Sequence, residues 1–136
     1  MEWTITLNEQ IQYAEVATGG LADRNGSLEM AMEISRVLAR AKIKKILIDH
    51  RRISAVSGGT VEIYQRPKEL KAIGAAKGIK VAEVVKAEHK AFFRFLETVC
   101  VNRGFLFLTF EDRKSALKWL LAPGGNQFID VQSGNI

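Results

Sequence analysis

The sequence is poor in cysteine and histidine, with one cysteine and two histidines among its 136 residues. A single cysteine excludes an internal disulfide, so nothing in the sequence indicates an oxidising compartment. A metal centre needs several His, Cys or carboxylate side chains at suitable spacing, and the sequence contains no such cluster. We therefore expect a cytoplasmic protein that uses neither a metal nor another cofactor.

Long hydrophobic runs are also missing. No uncharged apolar stretch approaches the roughly 18 residues that a membrane-spanning helix requires, and the longest one, residues 104–110, has the length of a strand. The first residues alternate in polarity, which is not the basic-then-apolar pattern of a signal peptide. Hydrophobic residues still make up 47% of the chain, which is enough for one domain with a single core.

Positive charge is in excess but is not concentrated. The formal net charge is +5, and lysines and arginines are spread over the whole chain. Nucleic-acid-binding proteins usually gather their basic groups on one face. The densest basic run, residues 40–45, falls at the predicted end of a helix, where the helix dipole favours cations. We interpret these residues as a solvated surface and do not expect a nucleic-acid partner.

The hydrophobic pattern near the N-terminus predicts a hairpin and then a helix. Residues 3–7 and 11–13 alternate in polarity, with a turn expected at residues 8–10. Residues 18–26 are rich in Gly, Asp and Asn and predict a loop. Ser27 is expected to cap a helix that buries Met30, Ile34 and Leu38.

Beyond this helix, short apolar runs and amphipathic segments alternate. Strands are predicted at residues 46–48, 80–85 and 105–110, and helices from Thr60, over residues 91–102 and from Asp112. Pro67 predicts a break or kink in the helix that begins near Thr60, and Gly74 and Gly78 mark its exit. Gly104 is predicted to end the helix over residues 91–102 in a left-handed conformation, and Pro123 stops the last helix. We therefore expect one domain over residues 1–122 and a tail over residues 123–136.

The order β-β-α-β-α-β-α-β-α predicts an α/β domain. Its five-stranded sheet should be mostly parallel, with an N-terminal antiparallel hairpin strand and about four helices. Ligand sites in open α/β folds lie beyond the carboxyl ends of the strands. A polar run follows the apolar strand at residues 46–48 and leads into the next helix. Its residues are the candidates for an interaction or ligand site: Asp49, His50, Arg51, Ser57, Gly58, Gly59 and Thr60.

Catalytic motifs are absent from the sequence. Cys100 falls on the apolar face of a predicted helix and is interpreted as a core residue. His89 stands at a helix start without a partner at catalytic spacing. The adjacent carboxylates Glu111 and Asp112 are better explained by helix capping. We therefore expect that the protein is not an enzyme and assign it no catalytic residues.

Four segments share their order and spacing with a known family. They are the strand end at residues 47–51, the strand at 80–85, the segment 95–104 that ends in Asn-Arg-Gly, and residues 110–120. On these segments the chain resembles the SpoIIAA-like branch of the STAS superfamily, which overlaps with the STAS/CRAL-TRIO-like group. The resemblance spans roughly residues 3–121 and implies a single STAS-type α/β domain.

The resemblance also implies a function. Better-known members are non-catalytic regulatory or protein-interaction modules, so a protein partner or a homodimer is expected. Some are switched by phosphorylation of a serine in an Asp-Ser-Ser-Gly-like run. Here that run falls at residues 57–60, with Gly58 at the acceptor position and Ser57 at the aspartate position. Ser57 and Thr60 are therefore candidate phosphoacceptors, although either could simply cap the following helix.

A second hypothesis competes with protein association. The protein could be a carrier or sensor of a small apolar or anionic ligand, either lipid-like or nucleotide-like. Phe92, Phe93 and Phe95 point to more than one side of their predicted helix. A phenylalanine that the core does not use could line a hydrophobic groove together with Ile63 and Tyr64. The sequence leaves this alternative open.

Overall fold

The structure is a computed structural model that describes residues 1–72 and 78–123. Its strands are β1 (Glu2–Asn8), β2 (Tyr13–Ala22), β3 (Lys45–Val56), β4 (Lys80–Val84) and β5 (Leu106–Phe110). Its helices are α1 (Arg24–Ala41), α2 (Thr60–Ala72), α3 (Lys90–Val101) and α4 (Arg113–Leu121), and a 3₁₀ turn over Ala87–His89 precedes α3. This order confirms the predicted α/β architecture.

The five strands form one sheet in the order β1-β2-β3-β4-β5. β1 is antiparallel to β2, and β2 to β5 are parallel to one another. Helices α1, α2 and α3 pack on one side of the sheet, which we call the three-helix face. Helix α4 packs on the other side, which we call the α4 face.

Most of the core lies on the three-helix face. Residues four apart on α1 point to this face, where they meet alternate residues of the strands. Ile34 and Leu38 of α1 pack with Val16 of β2 and Ile46 of β3. The smaller core on the α4 face is formed by Leu120 and five other residues, Tyr13, Leu47, Ala82, Val84 and Ala116. Burial of one such large apolar side chain stabilises the fold by roughly 1.5–3 kcal/mol.

The hairpin between β1 and β2 is confirmed, but its turn extends further than predicted. The Ile11 N–H donates to Asn8 Oδ1 over 3.0 Å, and the Gln12 N–H donates to the Asn8 carbonyl over 2.8 Å. These bonds hold residues 9–12 in the turn. Ile11, predicted on the buried side of the second strand, is therefore 52% exposed.

The loop predicted over residues 18–26 is wrong, because strand β2 continues to Ala22. Gly19 and Gly20 pair with Arg52 and Ile53 of β3 across an irregular register. Gly20 adopts a positive φ of 78°, which glycine tolerates without steric cost. Pairing with a distant strand overrides the loop-like composition of this segment.

The cap of α1 also differs from the prediction. Asp23 is the N-cap, and its Oδ1 accepts the Gly26 N–H over 2.8 Å. Ser27, which was expected to cap the helix, lies inside α1. Both residue types favour caps, and the end of β2 at Ala22 decides which of the two takes this position.

Strand β3 extends over 12 residues, far beyond the predicted segment at 46–48. Asp49, His50 and Arg51 therefore lie in the middle of β3 and not at its carboxyl end. The prediction of their position is wrong, because the second half of β2 provides hydrogen-bonding partners that keep β3 extended to Val56. The strand ends immediately before Ser57.

Helix α2 continues through Pro67, so a break at this residue is wrong, whereas a kink stays a prediction. Proline removes one N–H donor from the helix ladder, but its ring is fully buried here. Burial of this apolar ring favours the folded helix despite the lost donor. The predicted exit at Gly74, and the tail from residue 124 onward, lie outside the described residues.

Two predicted helix boundaries are confirmed. Gly104 follows α3 with a φ of 92°, the conformation that favours glycine after a helix. Asp112 caps α4, and its Oδ2 accepts the Ser115 N–H over 2.8 Å. In the described part of the chain, no helix is both long enough and apolar enough to cross a membrane.

Candidate functional site

The run Asp49-His50-Arg51 is divided between the two faces of the sheet. Successive side chains of a strand point to opposite faces. Ile46, Ile48 and His50 therefore face the three helices, whereas Asp49 and Arg51 lie on the α4 face. His50 is only 3% exposed. The predicted site residues thus belong to two different environments.

A cavity of about 100 Å³ lies between the sheet and helices α1, α2 and α3. Most of its wall is apolar and comes from Ala22, Met30, Ala31, Ile34, Ile46, Ile48, Leu70, Ile79, Val81, Phe92, Phe93, Leu96 and Phe107. The remaining wall is formed by Ser27, Ser35, His50, Arg66, Glu83 and Cys100. An apolar wall with a few polar groups is typical of small-molecule sites.

His50 is held on three sides within this wall. Its Nδ1 lies 2.8 Å from Thr18 Oγ1, and its Nε2 lies 3.0 Å from Glu83 Oε2. The imidazole ring also stacks on Phe93, with the ring centroids 4.7 Å apart. Both ring nitrogens therefore have partners, and the stacking fixes the plane of the ring.

Arg66 reaches the cavity from α2 and is 6% exposed. Its buried Nε has no hydrogen-bond partner, and the nearby Glu69 Oε1 lies 4.0 Å away. Burial lowers the pKa of the Arg66 guanidinium, but arginine stays protonated in proteins. Glu69 in turn accepts a hydrogen bond from Arg24 Nε over 2.9 Å, which links α2 to α1.

Two further buried polar atoms of the cavity wall have no partner within the described residues. They are Glu83 Oε1, the oxygen of that carboxylate which does not face His50, and Ser35 Oγ of α1. A buried polar atom without a hydrogen bond typically costs about 1–3 kcal/mol, and a charged one costs more. Together with Arg66 Nε, they are buried hydrogen-bonding atoms of wall residues that have no partner within the described residues.

Cys100 also borders the cavity and is fully buried. Burial, with the nearby charge of Glu83, raises the pKa of its thiol to about 12. The thiol is therefore protonated at neutral pH, whereas the thiolate is the nucleophilic form of cysteine. This confirms the interpretation of Cys100 as a core residue.

On the α4 face, charges are paired near solvent. Asp49 Oδ2 lies 2.8 Å from Arg51 Nη2, and Arg113 binds Glu15 through Nε and Nη2 over 2.9 and 2.7 Å. Partial burial raises the pKa of Asp49, but the hydrogen bonds and charge of Arg51 outweigh it and lower that pKa overall. The hydrogen bonds that Arg113 donates to Glu15 raise the pKa of the Arg113 guanidinium.

The loop from Ser57 to Thr60 joins β3 to α2, and all four of its residues are exposed. The Ser57 N–H donates to the Ala22 carbonyl over 2.9 Å. Gly58 has a φ of 131°, and a Cβ atom there would lie 2.9 Å from Glu62 Oε1. A serine at this acceptor position would therefore be strained, whereas Gly59 has open space around it.

The outer side of α2 carries two exposed apolar side chains. Val61 is 68% exposed and Tyr64 is 55% exposed. The ring of Tyr64 meets Phe95 of α3 edge-on, at a centroid distance of 5.8 Å. Ile63, in contrast, is buried in the core. Helix α2 thus borders the cavity on its inner side and presents apolar surface on its outer side.

Sequence reasoning missed Arg66, Glu83 and Ser35 as site residues. Glu83 leaves a readable signal, because it is the single charged residue inside the apolar run at residues 81–85. Arg66 and Ser35 have no such signal in the sequence, since each lies among other polar residues of its helix. Within residues 1–72 and 78–123, no three His, Cys, Asp or Glu side chains are grouped as metal ligands.

Comparison with solved structures identifies the fold. An uncharacterised protein of the DUF3478 family from Shewanella loihica PV-4, described with a SpoIIAA-like fold, is 22% identical and has a TM-score of 0.56. That similarity covers 88% of this chain and 92% of the other. The chain has a SpoIIAA-like fold. This finding confirms the fold that the sequence resemblance implied.

Two further structures share similarity with the chain. An anti-sigma factor antagonist from Mycobacterium paratuberculosis is 17% identical, with a TM-score of 0.55 over 89% of this chain and 96% of the other. The Bacillus cell fate determinant SpoIIAA in its phosphorylated form is 14% identical, with a TM-score of 0.45 over 86% and 97%. At these identities the similarities concern the fold alone.

No protein-family model matches the chain. No curated protein matches it either. The function of this SpoIIAA-like domain therefore has to be argued from its own residues.

Proposed function

We propose that the protein is a non-catalytic binding module that takes a small molecule into the cavity on its three-helix face. The observation that carries the proposal is Arg66, a buried cation in the cavity wall whose Nε has no hydrogen-bond partner. Buried charges are normally paired, because desolvation without a partner is costly. A bound ligand would provide the missing partner.

The rest of the cavity wall supports binding of a small, largely apolar molecule. Phe92 and Phe93 of α3 and Ile34 of α1 belong to this wall. Two of the three phenylalanines that the sequence left unassigned therefore line the cavity, whereas Phe95 packs on Tyr64. A cavity of about 150 Å³ in another protein is known to hold benzene. The cavity here is smaller, about 100 Å³, and limits the buried part of the ligand to a few carbon atoms.

The chemistry of the wall favours binding over catalysis. Cys100 is protonated, with a pKa of about 12, and both nitrogens of His50 face protein partners. A histidine that acts as a general base needs a free nitrogen within hydrogen-bond reach of the substrate proton. These residues therefore suit a fixed recognition surface, and the module acts as a carrier or sensor.

Native mass spectrometry of freshly purified protein tests this proposal. We expect a bound species of low mass on the wild-type chain, and its loss in Ser35→Leu, which fills part of the cavity. Ser115→Leu is the matched control, because Ser115 lies on the surface of α4, and it should keep the bound mass. If the wild-type chain carries no bound mass and also binds none of the small probes described below, the proposal fails.

Protein association is the second candidate function, and the outer side of α2 favours it. The exposed side chains of Val61 and Tyr64 follow directly on the exposed loop at residues 57–60. A fold neighbour named an anti-sigma factor antagonist also makes a regulatory protein contact a reasonable proposal. Asp49 and Arg51 lie on the α4 face, so we place them outside this surface.

Pull-down experiments with paired variants test the association. A partner, or a second copy of the chain, should be retained by wild-type protein and lost by the double variant Val61→Ser/Tyr64→Ser. Ile11→Ser is the control, because Ile11 is also exposed but lies in the hairpin turn. Equal retention by all three proteins would remove the α2 surface from consideration.

Phosphorylation of this loop is a further part of the second candidate. Ser57 and Thr60 are exposed, and Thr60 begins α2, where a phosphate would be favoured by the helix dipole. Peptide mapping after expression in the native host should then find a phosphate on one of these residues. A digest that covers both residues and shows neither modified would contradict the switch.

A further inference from the structure

We infer that the cavity takes a small monocarboxylic acid, with its carboxylate on Arg66 and its hydrocarbon part among the apolar side chains. The inference rests on the proposed function, because it assumes that the cavity binds a small molecule. It goes further by assigning the ligand a charge and a head group. Each of these assignments comes from a separate feature of the cavity wall.

Arg66 is the reason for expecting a negatively charged ligand. Its guanidinium is buried, its Nε is unpartnered, and Glu69 Oε1 is at 4.0 Å, which is too far for a hydrogen bond. Glu69 is also bound by Arg24 through its other oxygen. A planar carboxylate matches the fork of a guanidinium with two parallel hydrogen bonds. A neutral ligand would leave Arg66 with only the long ion pair to Glu69, at 4.0 Å, and with no hydrogen bond to its Nε.

Glu83 is the reason for limiting the ligand to a single negative charge. One oxygen of this carboxylate faces His50 at 3.0 Å, but Oε1 is buried and unpartnered beside the cavity. A phosphate monoester carries close to two negative charges at neutral pH. It would place the second charge near this free carboxylate oxygen, where like charges repel strongly. A monoanion that pairs with Arg66 is repelled less by Glu83, because it carries about half that charge.

The remaining wall of the cavity determines the size and polarity of the ligand's hydrocarbon part. Met30, Ile34, Phe93, Leu96 and Phe107 surround the space with apolar atoms. About 100 Å³ accommodates a short branched chain and is too small to bury a long-chain fatty acid whole. We therefore choose isovalerate as the probe and isovaleramide as its neutral counterpart of nearly the same shape.

The test is an NMR titration of the full chain at pH 7 with each probe. Isovalerate should bind at least tenfold more tightly than isovaleramide, because a charge-assisted hydrogen bond adds to burial of the same tail. Arg66→Met should remove this preference. The matched control Arg52→Met changes an exposed arginine of β3 and should keep it. The acid–amide comparison on wild-type protein stands even if Arg66→Met folds poorly.

Each outcome bears on the inference in a different way. If the amide binds as tightly as the acid, the cavity still binds small molecules, but the assignment of a carboxylate is wrong. Tighter binding of isobutyl phosphate than of isovalerate would overturn the single charge. If neither isovalerate nor its amide binds, this inference fails. Native mass spectrometry then decides separately whether the proposed function survives.

Discussion

The two faces of the sheet differ in how their charged side chains are paired and buried. On the α4 face, Asp49 pairs with Arg51 and Glu15 pairs with Arg113, in pairs that are partly open to solvent. On the three-helix face, Arg66 and Glu83 are buried and each keeps an unpartnered atom. Charge that is fully paired near water needs no further explanation. We propose that the unsatisfied charge beside the cavity binds a ligand.

The largest effect of burial on the three-helix face should appear in thiol reactivity. Burial on the three-helix face raises the pKa of Cys100 to about 12, whereas an unperturbed thiol has a pKa of about 8.5. At pH 8 the native thiol should therefore react with a disulfide reagent about a thousandfold more slowly than in unfolded protein. Comparison of the reaction rates with and without denaturant measures this. Reaction of the native protein at the unfolded rate would show that the cavity side is open.

The same shift gives a pH dependence of stability. Because the pKa of Cys100 is raised on folding, the native state holds the thiol proton more tightly than the unfolded state does. This contribution is fully present below about pH 8.5 and is lost as the pH rises towards 12. The free energy of unfolding should fall over this window in wild-type protein, and it should fall less in Cys100→Ala.

The next prediction compares two variants, each of which lacks one carboxylate, on one or the other face of the sheet. Glu83→Ala leaves the buried His50 without its Nε2 partner, so it should lower the free energy of unfolding by about 1–3 kcal/mol. Glu15→Ala breaks an ion pair that is partly exposed, and it should cost less than about 1 kcal/mol. Urea unfolding measures both. Equal losses would show that the two faces do not differ as described.

A smaller effect of opposite sign is expected at Ser35. Its buried Oγ has no hydrogen-bond partner, so Ser35→Ala should raise the free energy of unfolding by about 1 kcal/mol. Ser115→Ala on α4 is the control for the better helix propensity of alanine, because Ser115 is exposed. If Ser35→Ala is no more stabilising than this control, the hydroxyl has a partner in solution.

The smallest effect is expected at Asp49 on the α4 face. NMR titration should give this carboxyl a pKa below its ordinary value of 3.8, because Arg51 favours the charged form despite partial burial. The associated stability is present above the unfolded pKa and is lost as the pH falls through the lower folded one. Arg51→Met should raise the pKa of Asp49. An unchanged value would show that the Asp49–Arg51 pair does not persist in solution.

The sequence was sufficient for features that depend on local chemistry. The helix cap at Asp112, the left-handed Gly104 and the strand–helix alternation were all predicted from residue type and spacing. The full length of β3 was not, because it depends on pairing with β2, whose Gly19 and Gly20 look like loop residues. The error at Pro67 has a similar origin, since burial of its ring depends on tertiary packing.

The site was harder to predict than the fold. The alternation of β3 divides Asp49-His50-Arg51 between two faces, and that division follows only once the strand is known to continue past His50. Glu83 was recognisable as a charge inside an apolar strand. Arg66 was not, because nothing local distinguishes a buried arginine of α2 from a solvated one. Its significance comes from what surrounds it in the fold.

The measurement that tests the central claim most directly follows the side chain of Arg66 itself. Its Nε–Hε signal in ¹H–¹⁵N NMR can be assigned by its disappearance in Arg66→Met. The account predicts that this signal shifts and reaches saturation as isovalerate is added to wild-type protein. An Arg66 signal that stays unchanged at all isovalerate concentrations, in a protein that remains folded, would contradict it.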